Sequence, residues 1–213
     1  GKVTTVKAPK SLKNDTIATI LYCVLFPDSN RFLIWYSLLV GKNEAPFEHE
    51  YLLQETTRQS VFKAAQIDRI KGEIFGIKVG NEWITKLVRQ HVFVLVTAVM
   101  MEFGIEEYQV GMAEIAFSFM HTARQAGHPV SLWEILRMFV MFWKNIRQPI
   151  IDKYDTIFGR LFLSTSTAPS TCMNRIKTSD FATKQLTALM QSLFSNWLNE
   201  PKVVRIWDCL IVS

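Results

Sequence analysis

The chain has 213 residues, 49% hydrophobic and 20% charged, with 24 Lys and Arg against 19 Asp and Glu for a net charge of +5. Its length suits one domain or two closely fused lobes, and three scattered cysteines (Cys23, Cys172, Cys209) with no CxxC argue against a disulfide framework. The longest apolar run, Val92 to Met101 interrupted by Thr97, falls short of the roughly 20 residues that a membrane helix needs.

Gly1 to Lys13 carries four lysines and no signal-peptide core, and reads as a basic arm. Asn14 or Asp15 can cap a helix through Leu25, which Pro27 ends. Ser29 or Asn30 can cap a second helix, bearing Phe32, Leu33, Trp35, Tyr36, Leu39 and Val40 and closed by Gly41, so an antiparallel pair is expected. After a loop over Lys42 to Pro46, a helical stretch is predicted from Phe47 to Ile70, with a break near Thr56 and Thr57. Glu73 to Val79, between Gly72 and Gly80, is the candidate for a short strand or hairpin arm.

Asn81 can cap a helix running to Phe103. Its apolar residues wrap most of the circumference over Val92 to Met100, the pattern of a helix buried on all sides. A further helix is predicted over Ile105 to Ala126, stopping at Gly127. Ser131-Leu132-Trp133-Glu134 is a capping box before an apolar run that Pro149 limits. A short helix over Ile150 to Phe158 precedes the loop STSTAPST at 164–171, and a last long helix is expected from Ser179 or Asp180 to Pro201. The final segment, Val203 to Val212, is apolar. It must dock, either on its own domain or on another subunit.

The expected fold is therefore all-α: a helical bundle with at most one short strand near residues 73–79. A basic arm (1–14) and an apolar arm (201–213) flank a core of residues 15–200, which can divide into two lobes near 127–130.

Catalytic chemistry finds little support. The four histidines form no HxH, HxxxH or HExxH, and successive residues in Glu48-His49-Glu50 point about 100° apart on a helix, which cannot close on one metal. There is no GxSxG and no phosphate-loop motif. Cys172 has Arg175 and Lys177 near but no histidine nearby in sequence. Pro27-Asp28 lacks the E-x-K that a metal-dependent nuclease would need. The reading is a non-enzyme with neither cofactor nor metal.

The basic residues are distributed rather than clustered, with one set between Arg58 and Arg89 and a second between Lys144 and Lys184. Cations spaced along a groove with aromatics between them suit single-stranded nucleic acid, through phosphates and stacked bases. The candidate RNA-binding residues are Arg58, Lys63, Lys144, Arg147, Tyr154, Arg160, Arg175, Lys177 and Lys184. The candidate oligomerisation residues are Val203, Val204, Ile206, Trp207, Leu210 and Ile211, on the apolar tail taken as a subunit-linking arm. Glu102, Glu106, Glu107 and Glu114 make an acidic patch that a neighbour's basic arm could meet. The expectation is a structural protein that self-assembles on single-stranded RNA, of the viral nucleoprotein, filament coat or capsid type. It forms an open helical or ring homo-oligomer, cytoplasmic or within a virion, without stable membrane insertion. The alternatives are a helical protein–protein adaptor or regulator, and a membrane-associated matrix protein.

Overall fold

The computed structural model describes residues 26–41, 50–77, 84–153, 188–195 and 200–212. The fold is all-helical, and no strand occurs among the described residues. In chain order the helices are α1 (Asp28–Leu39), α2 (Glu55–Val61), α3 (Ala64–Gly76), α4 (Lys86–Glu102), α5 (Met112–Gln125), α6 (Leu132–Phe142), α7 (Gln148–Asp152) and α8 (Glu200–Val212). A 3-10 turn, Glu50–Leu53, precedes α2, and a π-helical turn, Trp143–Arg147, joins α6 to α7.

As its all-round apolar pattern predicts, α4 is the central helix. Val92, Leu95, Val96, Ala98 and Val99 have no exposed surface at all. The one polar residue inside that run, Thr97, is satisfied by donating its hydroxyl back to the Phe93 carbonyl at 2.8 Å. Helices α3, α5 and α6 pack around α4, while α1 lies against α5 and α6. The helix begins later than Asn81: Thr85 is its cap, its hydroxyl accepting from Val88 N. Residues 81–83 lie outside the described residues.

The capping box before α6 is present as predicted. The Ser131 hydroxyl accepts from Glu134 N at 3.2 Å, and Ser131 N donates to the Glu134 carboxylate at 2.8 Å. Both faces of α6 are buried, with Met138 and Val140 covered as well as Ile135, Leu136 and Phe139, so this helix too is internal. Pro149 does not end it. The backbone widens into the π turn just before the proline and then continues as α7, whose early position tolerates a missing N–H.

Elsewhere the structure departs from the sequence reading. The stretch expected as a strand from Glu73 is helical through Gly76, and Lys78 and Val79 lie outside the described residues. The reason is that Ile70 and Ile74, one helical turn apart, are both buried, whereas strand geometry would put i and i+4 in register only with i+2. Of the helix predicted from Phe47 to Ile70, residues 47–49 lie outside the described residues and the rest is three pieces, because Gln54 and Lys63 adopt extended backbone. The helix expected from Ile105 starts only at Met112. Gly111 precedes it with φ 93°, and a side chain there would overlap the Ser192 backbone, its Cβ falling 2.4 Å from Ser192 Cα.

The last long helix predicted from residue 179 is broken. Its described part, 188–195, makes one helical turn and then stops: Leu193 N bonds to Met190 O and Phe194 N to Leu189 O, the two-bond closure of a Schellman turn. Leu193 takes the left-handed position usually given to glycine, with φ 45°, and Phe194 follows at φ 71°.

The apolar tail is helix α8. It packs on α1 and α5 of its own chain. Trp207 has no exposed surface and lies among Trp35, Phe119 and Phe142, with ring centroids 6.0, 5.5 and 4.8 Å away. Beside it, Asp208 is buried and accepts from Trp35 Nε1 at 2.7 Å and from Arg31 Nε at 3.2 Å. Arg31 also donates to the Phe26 carbonyl at 2.9 Å and pairs with Asp28. Burial pushes the Asp208 carboxyl above its ordinary pKa, against the pull of Arg31 and the Trp35 hydrogen bond.

Removing one partner of such a pair leaves an uncompensated buried charge. Asp208→Ala should therefore destabilise the chain by about 3–5 kcal/mol in urea unfolding. A chain ending at residue 199 should lose most of its helical circular dichroism, since Trp35 and Phe142 lose the cover that Trp207 provides.

Candidate nucleic-acid interface

The predicted cations divide sharply. Lys63 and Lys144 are exposed, as nucleic-acid binding requires. Arg58 and Arg147 are not, with only 7% and 1% of their surfaces accessible. Arg58 donates to the Leu52 and Leu53 carbonyls at 3.3 and 2.9 Å, closing the 3-10 turn ahead of α2. Burial lowers its pKa, with Glu55 opposing the shift. The Arg147 guanidinium lies over the Trp143 ring, its carbon 3.9 Å from the ring centroid, and donates through Nε to the Gln191 carbonyl at 3.3 Å. Both arginines therefore serve the interior instead of a solvent-facing groove. Arg89 is likewise occupied, donating to the Ile74 and Ile77 carbonyls at 2.7 and 3.0 Å, where it satisfies the end of α3. Tyr154, Arg160, Arg175, Lys177 and Lys184 lie outside the described residues.

The six candidate oligomerisation residues all lie on α8. Val203, Val204 and Trp207 are buried inside this chain, and Ile206, Leu210 and Ile211 are half-buried. The tail has thus taken the first of its two options, docking on its own domain. An amphipathic 13-residue helix beside α1 covers its apolar stripe without a second subunit.

A cleft of about 820 Å³ opens between the α2–α3 corner and the connection from α4 to α5. Its floor is apolar, formed by Phe62, Ile70, Met100, Met101 and Ile105. Lys63 and Arg69, both exposed, stand on the α3 wall, while Glu106, Glu107 and Tyr108 form the other. The Gln66 side-chain amide donates to the Glu106 carbonyl and fastens the two walls together. The corner exists because Lys63 is extended: α2 stops at Val61, α3 starts at Ala64, and Phe62 turns inward between them.

Behind the acidic wall, burial pushes the Tyr108 phenol well above its ordinary pKa, and Glu114 and Glu73 push the same way. The Tyr108 oxygen accepts from Ala113 N at 3.4 Å. Glu114, on the first turn of α5, has one buried carboxylate oxygen with no hydrogen-bond partner. Burial raises its pKa and Glu73 raises it further. The acidic patch read from the sequence is therefore uneven. Glu106 and Glu107 face solvent at the cleft, whereas Glu114 is partly withdrawn into the protein.

Lys63, an RNA-binding candidate from the sequence, is exposed, but the sequence had no means of joining it to Arg69, Gln66 and Tyr108. Lys63 and Tyr108 are far apart in the chain, and only packing of α3 on α4 brings their segments together. Among the described residues no three His, Cys, Asp or Glu side chains gather as a metal site, and no helix is long and apolar enough to cross a membrane. The chain matches no protein-family model, no curated protein and no solved structure.

The sign of the Glu114 effect can be tested. Its folded pKa lies above the ordinary 4.5, so the folded state holds the proton more tightly and stability falls as pH rises through the folded pKa. Glu114→Gln should raise the melting temperature at pH 7. The gain should shrink as pH falls and close below 4.5, where the native carboxyl is neutral in both states.

Proposed function

We propose that this chain is a non-enzymatic, structural protein that binds single-stranded RNA and assembles along it, in the manner of a nucleoprotein or coat protein. The observation that carries the reading is the cleft, an apolar, aromatic-bearing slot with the exposed cations Lys63 and Arg69 on one wall. Such a slot can receive a nucleobase while the neighbouring phosphates meet the cations, an arrangement that needs no base sequence. Lys71, also exposed, extends the charge along α3. Since Val203, Val204 and Trp207 are internal, assembly would use other apolar side chains on the surface, such as Leu33 and Leu38 of α1, 47% and 39% exposed.

One feature favours a different partner. Glu106 and Glu107 on the opposite wall repel a polyanion and would suit a basic, apolar peptide. The adaptor reading rests on that wall, and a binding assay separates the two.

Fluorescence anisotropy with labelled RNA homopolymers should show binding at low salt that weakens steeply as salt rises. The double charge reversal Lys63→Glu with Arg69→Glu should lower affinity about tenfold or more while leaving the circular dichroism unchanged, because both side chains face solvent. Charge reversal at Arg58 should unfold the protein instead. Absence of binding to every homopolymer at low salt would rule the RNA reading out.

A further inference from the structure

Arg147 is the least expected residue in the interior. Its guanidinium is 1% exposed and makes no ion pair among the described residues. Among the described residues Nε donates to the Gln191 carbonyl, and Nη2 is buried with no partner. The indole beneath it is in the same condition, for Trp143 Nε1 is also buried and unpartnered. Two unmet donors, one of them cationic, thus lie together on a π-helical turn, a geometry that recurs at functional sites. Buried polar groups are nearly always satisfied, so this pair lacks an acceptor. Burial brings the Arg147 pKa down to about 10, and no carboxylate among the described residues pairs with it.

Among the described residues, the segment 188–195 reaches this pair through the Gln191 carbonyl. Gln191 takes the Arg147 bond, and Ser192 leads into the left-handed positions of Leu193 and Phe194. Both are conformations that side chains with a Cβ rarely adopt. The segment is held at two further points. Trp207 Nε1 donates to the Leu193 carbonyl at 3.0 Å, and Ser192 rests on Gly111, where a Cβ would overlap it.

We propose that Arg147 and Trp143 form a closed phosphate-binding site, and that residues 188–195 are a cover which lifts when phosphate enters. This deepens, and rests on, the RNA-binding reading. The ligand must be an acceptor, because the arginine and the indole offer donors only. An anion suits it, because the guanidinium has no counter-charge among the described residues. Phosphate fits best: the planar guanidinium presents paired N–H groups that match two phosphate oxygens, and the indole N–H supplies another donor. Lys144, exposed one turn earlier, provides charge on the approach. Lifting the cover also releases Leu193 and Phe194 from their left-handed backbone, which offsets part of the cost of opening.

Hydrogen exchange read by mass spectrometry on the full chain tests this, with a short uridine oligonucleotide in one arm and inorganic phosphate in another. Amides of residues 192–195 should exchange several-fold faster with ligand bound. A rise with inorganic phosphate assigns the site to the phosphate group itself, and a rise with the oligonucleotide alone assigns it to the polymer backbone; both support the proposal. Arg147→Gln should lower oligonucleotide affinity about tenfold and abolish the exchange response, with Arg147→Lys restoring part of each. Trp143→Phe keeps the ring under the guanidinium but deletes its donor, so it should blunt the response even if the arginine variants fold poorly. If the oligonucleotide binds while exchange at 192–195 stays unchanged, or if Trp143→Phe responds as the native chain does, the site is wrong and the RNA reading stands. If neither oligonucleotide nor phosphate binds at low salt, both fail.

Discussion

Asp208 is the hinge of the architecture. A carboxylate taken out of water is costly unless its oxygens are met, and here Arg31 and the indole of Trp35 meet them from α1. Two residues of one helix thereby hold the last helix of the chain against the first described one. Arg31 is itself anchored at both ends, to Asp28 on the preceding turn and to the Phe26 carbonyl. The pair specifies orientation: α8 could slide along an apolar surface at little cost, but not past a buried acceptor that has a single matching set of donors.

That orientation sets where Trp207 goes. One step from Asp208, it enters the space between Trp35, Phe119 and Phe142, so α1, α5, α6 and α8 meet through aromatic rings at tilted and edge-on angles, the arrangements that ring quadrupoles favour. Its indole N–H then reaches the Leu193 carbonyl and fixes the turn at residues 192–195. The left-handed backbone of Leu193 and Phe194, the absent side chain at Gly111 and the burial of Arg147 all belong to this neighbourhood. Strain concentrated beside an unmet cation is the reason to look there for a second binding event. Within α4 itself the buried run is apolar except for Thr97, which is locally satisfied.

The cleft lies elsewhere, on the corner between α2 and α3, and its character is mixed. Cations on one wall and carboxylates on the other give it a direction that a uniformly basic groove lacks. A strand of RNA crossing it would be held by one wall only, with its bases turned to the other. That asymmetry distinguishes the proposed contact from general attraction to a protein of net charge +5.

The sequence by itself determined the helical class, the central position of α4 and the start of α6. These follow from short-range rules: apolar residues around a full helical circumference cannot face water, and a Ser-x-x-Glu box satisfies N–H groups within a single turn. The apolar residues of α8 were equally legible as a surface that must be covered, but what covers them was not, because that depends on a polar match between Asp208 and an arginine 177 positions away. Arg58 and Arg147 show the same limit from the other side. An arginine reads as surface charge until packing supplies backbone carbonyls or an aromatic face to receive it. The run from Glu73 read as a short strand, but it continues the helix from Ala64, whose Ile70 and Ile74 are both buried against the core. The cleft and the covered arginine are products of tertiary structure alone, since each joins segments whose proximity no local pattern encodes. Local chemistry chose the elements, and the pairing of distant buried groups chose how they meet.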